Sequence, residues 1–233
     1  MSRKTAIRSA IPSFSLYGDA VAPAADMLHI ESIQSRSRLH QWEIDTHRHQ
    51  GLHQVLWLRS GPAAVSLDGL RQDAVGPLVV AIPPGAVHGF RFAADSDGQV
   101  LTLSPRAVLE GDAAAAGNAL RTLFAQPRLM VVPSAELVRI GGLFDALAAE
   151  FNAPGSAGSP VPLWLARAVL WRLAQLAAQD DQASGPAARG QQAIFTRFLV
   201  LLEAHHAEHW PVARYADRLG LSPERLNRLV RAE

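Results

Sequence analysis

The chain has no cysteine among its 233 residues. A disulfide framework and a thiolate metal site are therefore excluded, and His, Asp and Glu are left as the side chains able to ligate a metal. Long apolar runs are missing as well. No stretch reaches the roughly 18 consecutive apolar residues of a membrane span, and the first thirty residues carry no charged segment followed by an apolar run and a small-residue cleavage site. The expectation is a soluble, cytoplasmic protein with no membrane partner. Charge is not in excess of either sign: the net value is +1, and from Arg189 onward 7 Arg face 5 Asp and Glu, against 15 basic and 16 acidic residues before it. That balance gives nucleic-acid binding little electrostatic support. What the chain does have is apolar material. With 48% hydrophobic and 18% charged residues it can bury a substantial core in one or two domains.

From Leu28 to Leu103 the character changes in short runs: Leu39 to Ile44, Val55 to Leu58, Ala63 to Leu67, Leu78 to Ile82, Val87 to Phe92 and Val100 to Leu103. Turn residues separate them (Ser60-Gly61-Pro62, Asp68-Gly69, Pro83-Pro84-Gly85, Asp97-Gly98), which predicts an antiparallel sandwich or barrel with a hairpin at Asp68-Gly69. After Pro105 the period becomes helical. Helices are expected around Ala107 to Phe124, over Ser134 to Phe151 with Ser134 as N-cap, and over Pro162 to Gln179. Residues 1–104 thus read as one domain, 105–180 as a helical segment, 181–190 as a flexible linker and 191–233 as a C-terminal helical unit. The fold class is α+β.

In the helix from Pro162, Leu163, Ala166, Leu170, Leu173 and Ala177 follow a 3,4,3,4 spacing along one stripe, with Trp164, Ala168 and Trp171 on the next. Two apolar faces call for two partners. The first stripe is a candidate homodimer face, the other reading being intramolecular core.

The sharpest local pattern is Pro211 to Arg231. Val212, Ala216 and Leu219 give a short helix a buried face, Gly220 can end it at positive φ, Ser222 can cap a second helix, and Leu226, Leu229 and Val230 face inward. This is the layout of a helix-turn-helix. Its second helix would present Ser222, Glu224, Arg225, Asn227, Arg228 and Arg231 to bases and phosphates of double-stranded DNA, although an ordinary helical hairpin with a solvated face has the same spacing.

A second constellation is His47-Arg-His49-Gln-Gly-Leu-His53, followed by Pro83-Pro-Gly85-Ala-Val-His88. Residues two apart on a strand share a face, so His47 and His49 point together; His53 keeps their parity and His88 arrives from another strand. Four imidazoles would suit Zn, Fe, Ni or Cu. They would equally serve as donors to an organic ligand walled by Trp57, Phe90 and Phe92, or as structural hydrogen-bonding groups. The ligand pocket is favoured by the nearby aromatics, so no metal or other cofactor is expected.

The His47-x-His49 and Pro83-x-Gly85-x-x-His88 segments resemble the two cupin motifs, with His53 where enzymes of that fold usually carry a glutamate. Tyr215 to Leu229 resembles the first helix-turn-helix of AraC/XylS transcriptional regulators. Within that family Ile11 to Gly18, Arg36 to Ile44 and Val87 to Phe92 resemble the PobR group, activators of p-hydroxybenzoate hydroxylase genes. The resemblance implies a cupin-like β-barrel sensor, a helical dimerisation segment and the first of two helix-turn-helices, hence a C-terminally incomplete, non-enzymatic, ligand-responsive activator of aromatic acid catabolism. It implies a hydroxybenzoate-like effector, whose carboxylate would be met by His47, His49, His88 or Arg38. The alternative is a metal-dependent cupin enzyme acting on a small aromatic substrate.

Overall fold

The β-branched runs of the N-terminal half fold as strands in the computed structural model, which describes residues 12–14, 27–49, 51–104, 122–156, 158–183, 194, 198, 201–202, 205, 208 and 210–232. One five-stranded sheet runs in the order β1 (Ser13–Phe14), β3 (Glu43–His49), β8 (His88–Phe92), β5 (Pro62–Leu67), β6 (Leu70–Val75). The other runs β10 (Arg128–Val131), β7 (Leu78–Ile82), β4 (His53–Ser60), β9 (Asp97–Leu103), β2 (Leu28–Ser32). Neighbours are antiparallel except β1 and β3.

Among the described residues both sheets keep open edges, so the expected closed barrel is instead a sandwich of two sheets. Its interior is filled by alternate residues: Ile44 from β3, Phe90 and Phe92 from β8, Leu56 and Leu58 from β4, Val80 and Ile82 from β7. The second sheet is buried on its other face too. Val55 and Trp57, Val79 and Ala81, Leu101 and Leu103 point away from the sandwich into a helical layer. This double burial explains why β7 is an unbroken apolar run, Leu78-Val-Val-Ala-Ile82, with every residue buried.

The hairpin at Asp68-Gly69 forms as its sequence indicates, with φ of +46° and +86° and Leu67 paired to Leu70. Its second strand, β6, has no apolar alternation because it is an exposed edge. The run from Leu39 to Ile44 is strand only at its end, Glu43 and Ile44. Ile33–Ser37 form a short helix, α1, capped by the Ser32 hydroxyl; a 3₁₀ turn, Arg38–His40, follows, and Gln41 and Trp42 take positive φ before β3 begins at Glu43.

Two longer helices cover the second sheet. α2 is Ser134–Phe151, with Pro133 rather than Ser134 at the N-cap position, and α3 is Val161–Ala183. Ala166, Leu170, Leu173 and Ala177, the proposed dimer stripe, lie in the chain's own core with Phe144, Leu147 and Trp57. That stripe is consumed by the sheet; Leu163 at its start is half-buried, and Trp164 (58% exposed) and Trp171 (47%) face outward. The helix expected around Ala107 to Phe124 falls mostly outside the described residues. No described helix is long and apolar enough to cross a membrane.

Residues 1–177 form one compact unit and 178–233 another. In the second, α4 (Val212–Leu219) and α5 (Pro223–Ala232) meet at Gly220, whose φ is +68°. The Leu221 N–H donates to the Ala216 carbonyl (2.9 Å) and Gly220 N–H to that of Asp217 (3.1 Å), closing the end of α4. Ser222 Oγ then accepts from Arg225 N–H (3.2 Å) at the start of α5. Trp210, Tyr215, Ala216, Leu219, Leu226 and Leu229 form the local core. Val212 (48% exposed) and Val230 (41%), expected inside, lie outside this core, which Trp210 and Tyr215 join instead.

Candidate functional site

β3 and β8 pair with Ile44 opposite Phe90 and His47 opposite His88, so two residues of β3, Asp45 and Thr46, stand opposite Gly89 alone on β8. The extra residue is a bulge, and it turns His47 and His49 onto the same interior face as Ile44. Gly89 lies against this bulge. A Cβ there would stand 3.0 Å from the Ile44 carbonyl oxygen and 3.2 Å from backbone of Thr46, so the close approach of the strands depends on glycine.

The result is a buried triad inside the sandwich. Ring centroids of His47 and His88 are 4.3 Å apart, of His47 and His49 4.8 Å, and of His49 and His88 5.2 Å. His47 Nδ1 is 2.8 Å from the Asp45 carbonyl oxygen and His88 Nδ1 is 3.0 Å from that of Ala86. A carbonyl only accepts, so each Nδ1 carries the hydrogen and each Nε2 presents a lone pair in the neutral ring. One ligand atom from each of the three histidines lies within 4.8 Å of the others. His88 Nε2 is buried with no hydrogen-bond partner. Burial lowers the His47 pKa to about 4 and that of His88 to about 3, in both cases with further repulsion from neighbouring histidines. His47 and His88 are therefore neutral at neutral pH.

Gln54, which the sequence did not single out, joins this triad: its Nε2 is 3.3 Å from His49 Nε2 and 3.3 Å from Thr102 Oγ1. His53 does not. Gly51, at φ +71°, turns the chain between β3 and β4, so parity does not carry across. On β4 the even residues face the sandwich and His53, with Val55 and Trp57, faces the helical layer, its ring 4.4 Å from that of Phe124. Burial there lowers its pKa to about 4.

Trp57 is likewise no pocket wall; it stacks on Phe144 of α2 at 6.1 Å and 18°. Phe90 is a wall, stacked on Phe92 at 5.6 Å. These two rings, with Ile33 and Ile44, bound a cavity whose polar members are Arg36, His47 and Gln54. Its open space is ≈ 20 Å³, room for about one water. Arg38, expected to meet a carboxylate from a strand, sits exposed on the 3₁₀ turn; Arg36, two residues earlier on α1, reaches the cavity. Only the tertiary path of α1 distinguishes the two arginines.

In the second unit, Glu224, Arg225 and Asn227 are exposed on α5, and Ser222 serves as its cap. The side chains of Arg228 and Arg231 lie outside the described set. Trp210, unremarked in the sequence, anchors the hairpin: His205 stacks on its ring at 3.8 Å and the Arg214 guanidinium lies 4.0 Å over it.

No protein-family model matches the chain, and no curated protein matches it. Among solved structures it is similar to the AraC-like transcriptional activator CuxR, at 10% identity over 77% of this chain and 60% of that one, with a TM-score of 0.38. It is similar to ToxT from Vibrio cholerae O395, at 8% identity over 88% and 74%, with a TM-score of 0.37. Over 33% of its length it is similar to a predicted oxalate decarboxylase from Thermotoga maritima, at 13% identity over 77% of that chain, with a TM-score of 0.24. The chain spans 60% of CuxR. Likenesses this distant fix neither fold nor function.

Proposed function

We propose that this chain is a ligand-responsive transcriptional regulator of the AraC/XylS type, akin to the PobR group, whose sandwich senses a small aromatic carboxylate of the hydroxybenzoate class. In this reading α4 and α5 contribute to operator binding through Ser222, Glu224, Arg225, Asn227, Arg228 and Arg231. The observation that carries it is the pairing, in one chain, of a buried polar cavity walled by Phe90 and Phe92 with a helical hairpin turned at Gly220. Residues 1–104 act as the sensor, 105–180 as the helical layer that reads its state, 181–190 as the linker and 191–233 as the DNA-binding part. Homodimerisation through α3 would use the Trp164 and Trp171 side, since the Leu170 side is buried.

A cavity of ≈ 20 Å³ is far smaller than a benzene-sized site of about 150 Å³, so the walls must part to admit a ring. That requirement suits a sensor, which needs two states of different effector affinity. The test is a thermal-shift screen of hydroxybenzoate isomers on the full chain. Effector at 100 times its Kd should add about 2.7 kcal/mol to native stability. No shift with any isomer would remove the effector class.

A second reading is favoured by one observation, the buried His88 Nε2 that lacks a partner where the other two imidazoles converge. The triad fits a transition metal: three neutral nitrogen donors suit Zn, Fe, Ni or Cu better than Mg or Ca. His47, His49 and His88 would hold it, with Gln54 beside His49 and His53 excluded on the far face of the sheet. A metal there would polarise an oxygen of a bound ligand as a Lewis acid, the starting point for a cupin enzyme. Elemental analysis of protein purified without a nickel column decides: stoichiometric metal in wild type and in His53→Ala, lost in His88→Ala, supports this reading, and metal-free wild type that takes up none on addition rejects it.

A further inference from the structure

The cavity's polar lining is Arg36, His47 and Gln54. Among the described residues that line the cavity, Arg36 is the side chain that carries a permanent positive charge. It is sheltered, 17% exposed, and its partner Glu31 on β2 is 19% exposed. Both Nε (2.6 Å) and one terminal nitrogen (2.5 Å) of Arg36 are held by a single oxygen, Glu31 Oε1. An arginine fork is best satisfied by two parallel bonds to the two oxygens of one carboxylate. Glu31 engages Arg36 through one oxygen, not through that two-oxygen geometry. Glu31 also lies 3.6 Å from His29 Nε2.

We propose that Arg36 is the carboxylate-recognising residue of the sandwich cavity and that Glu31 occupies its guanidinium until an anionic ligand takes that place. The inference rests on the effector reading above and narrows it: the ligand is an anion because it must replace Glu31 on Arg36, and its ring lies toward Phe90 and Phe92. Because α1 carries both Arg36 and the wall residue Ile33, the exchange acts on the element that borders the cavity.

The experiment is calorimetric titration of the full chain with 4-hydroxybenzoate and with its neutral isostere 4-hydroxybenzamide, in wild type, Arg36→Gln, Arg36→Lys and Glu31→Gln. Wild type should prefer the acid. Arg36→Gln should weaken acid binding by about tenfold or more, the range of a hydrogen bond to a charged group, and leave the amide unchanged. Arg36→Lys should fall between, keeping the charge without the fork, and Glu31→Gln should tighten acid binding by removing the competitor. Acid binding by Arg36→Gln at wild-type strength, or equal loss of acid and amide, overturns the proposal while the effector reading stands. Should Arg36→Gln not fold, Glu31→Gln decides alone: tighter acid binding supports the exchange, and unchanged or weaker binding overturns it. A wild type that binds the amide and not the acid overturns it too, and a wild type that binds neither removes the hydroxybenzoate reading and this inference together.

Discussion

His47 Nε2 and His49 Nε2 lie 3.3 Å apart inside the sandwich, a separation at which two positive rings would repel strongly in a poorly solvated space. Burial holds His47 and its neighbour His88 neutral. In the unfolded chain each histidine takes up its proton near pH 6.5, whereas His47 does so only near 4 and His88 near 3 when folded. The unfolded state thus binds more protons in this window, and stability rises with pH across it. Full stability is expected above pH 6.5, with on the order of 2 kcal/mol lost per buried histidine by pH 5. Urea denaturation midpoints at pH 7.5 and pH 5 measure this. A flat profile would contradict the neutral burial of His47 and His88.

Phe144 fastens α2 to the second sheet by stacking on Trp57, and both are almost wholly buried. Phe144→Ala should cost about 3–5 kcal/mol, the transfer term plus the cavity left at the interface. Chemical denaturation followed by tryptophan fluorescence reads the change. A loss below about 1 kcal/mol would mean that the helical layer does not depend on this contact.

Leu170 is 3% exposed in the core beneath α3. Leu170→Glu places an unpaired charge there and should destabilise the first unit by about 4 kcal/mol or more. Trp171→Glu, on the exposed side, should leave the first unit folded and shift sedimentation from the proposed α3 dimer toward monomer. Circular dichroism with sedimentation separates the two effects: a Leu170→Glu protein that remains folded and merely changes oligomeric state would contradict the packing described above.

Gly220 has nothing within 4 Å of where a Cβ would sit, so Gly220→Ala tests its backbone alone. At φ +68° an L-residue pays about 1–2 kcal/mol. Native-state hydrogen exchange over residues 212–232 should speed up correspondingly, by about five- to thirtyfold. Unchanged exchange would show that the turn relaxes to another conformation.

Much of the architecture was legible wherever a residue's neighbours along the chain set its state. Asp68-Gly69 needs only its own positive-φ tolerance to make a hairpin, and Gly220 followed by Ser222-Pro223 ends one helix and starts another with local hydrogen bonds. The 3.6-residue period of α2 and α3 and the two-residue period joining His47 to His49 belong to the same class. Edge strand β6 was not legible, because an exposed strand has no apolar alternation to reveal it.

The site itself was decided by tertiary structure. β4 is apolar on both faces, so its sequence could not say that Gln54 would join the histidines while His53 and Trp57 turned to the helices. A single bulged residue in β3 selects the interior face for His47 and His49, and no pattern in the sequence marks it. Arg36 and Arg38 are equivalent cations on paper; the course of α1 brings one to the cavity and leaves the other in solvent. The sequence by itself determined the elements and the kinds of side chain available, since those follow from local periodicity and turn chemistry. Which of those side chains converge depends on register, burial on both faces and the pairing of strands distant in the chain, and these are fixed only when the two sheets close on each other.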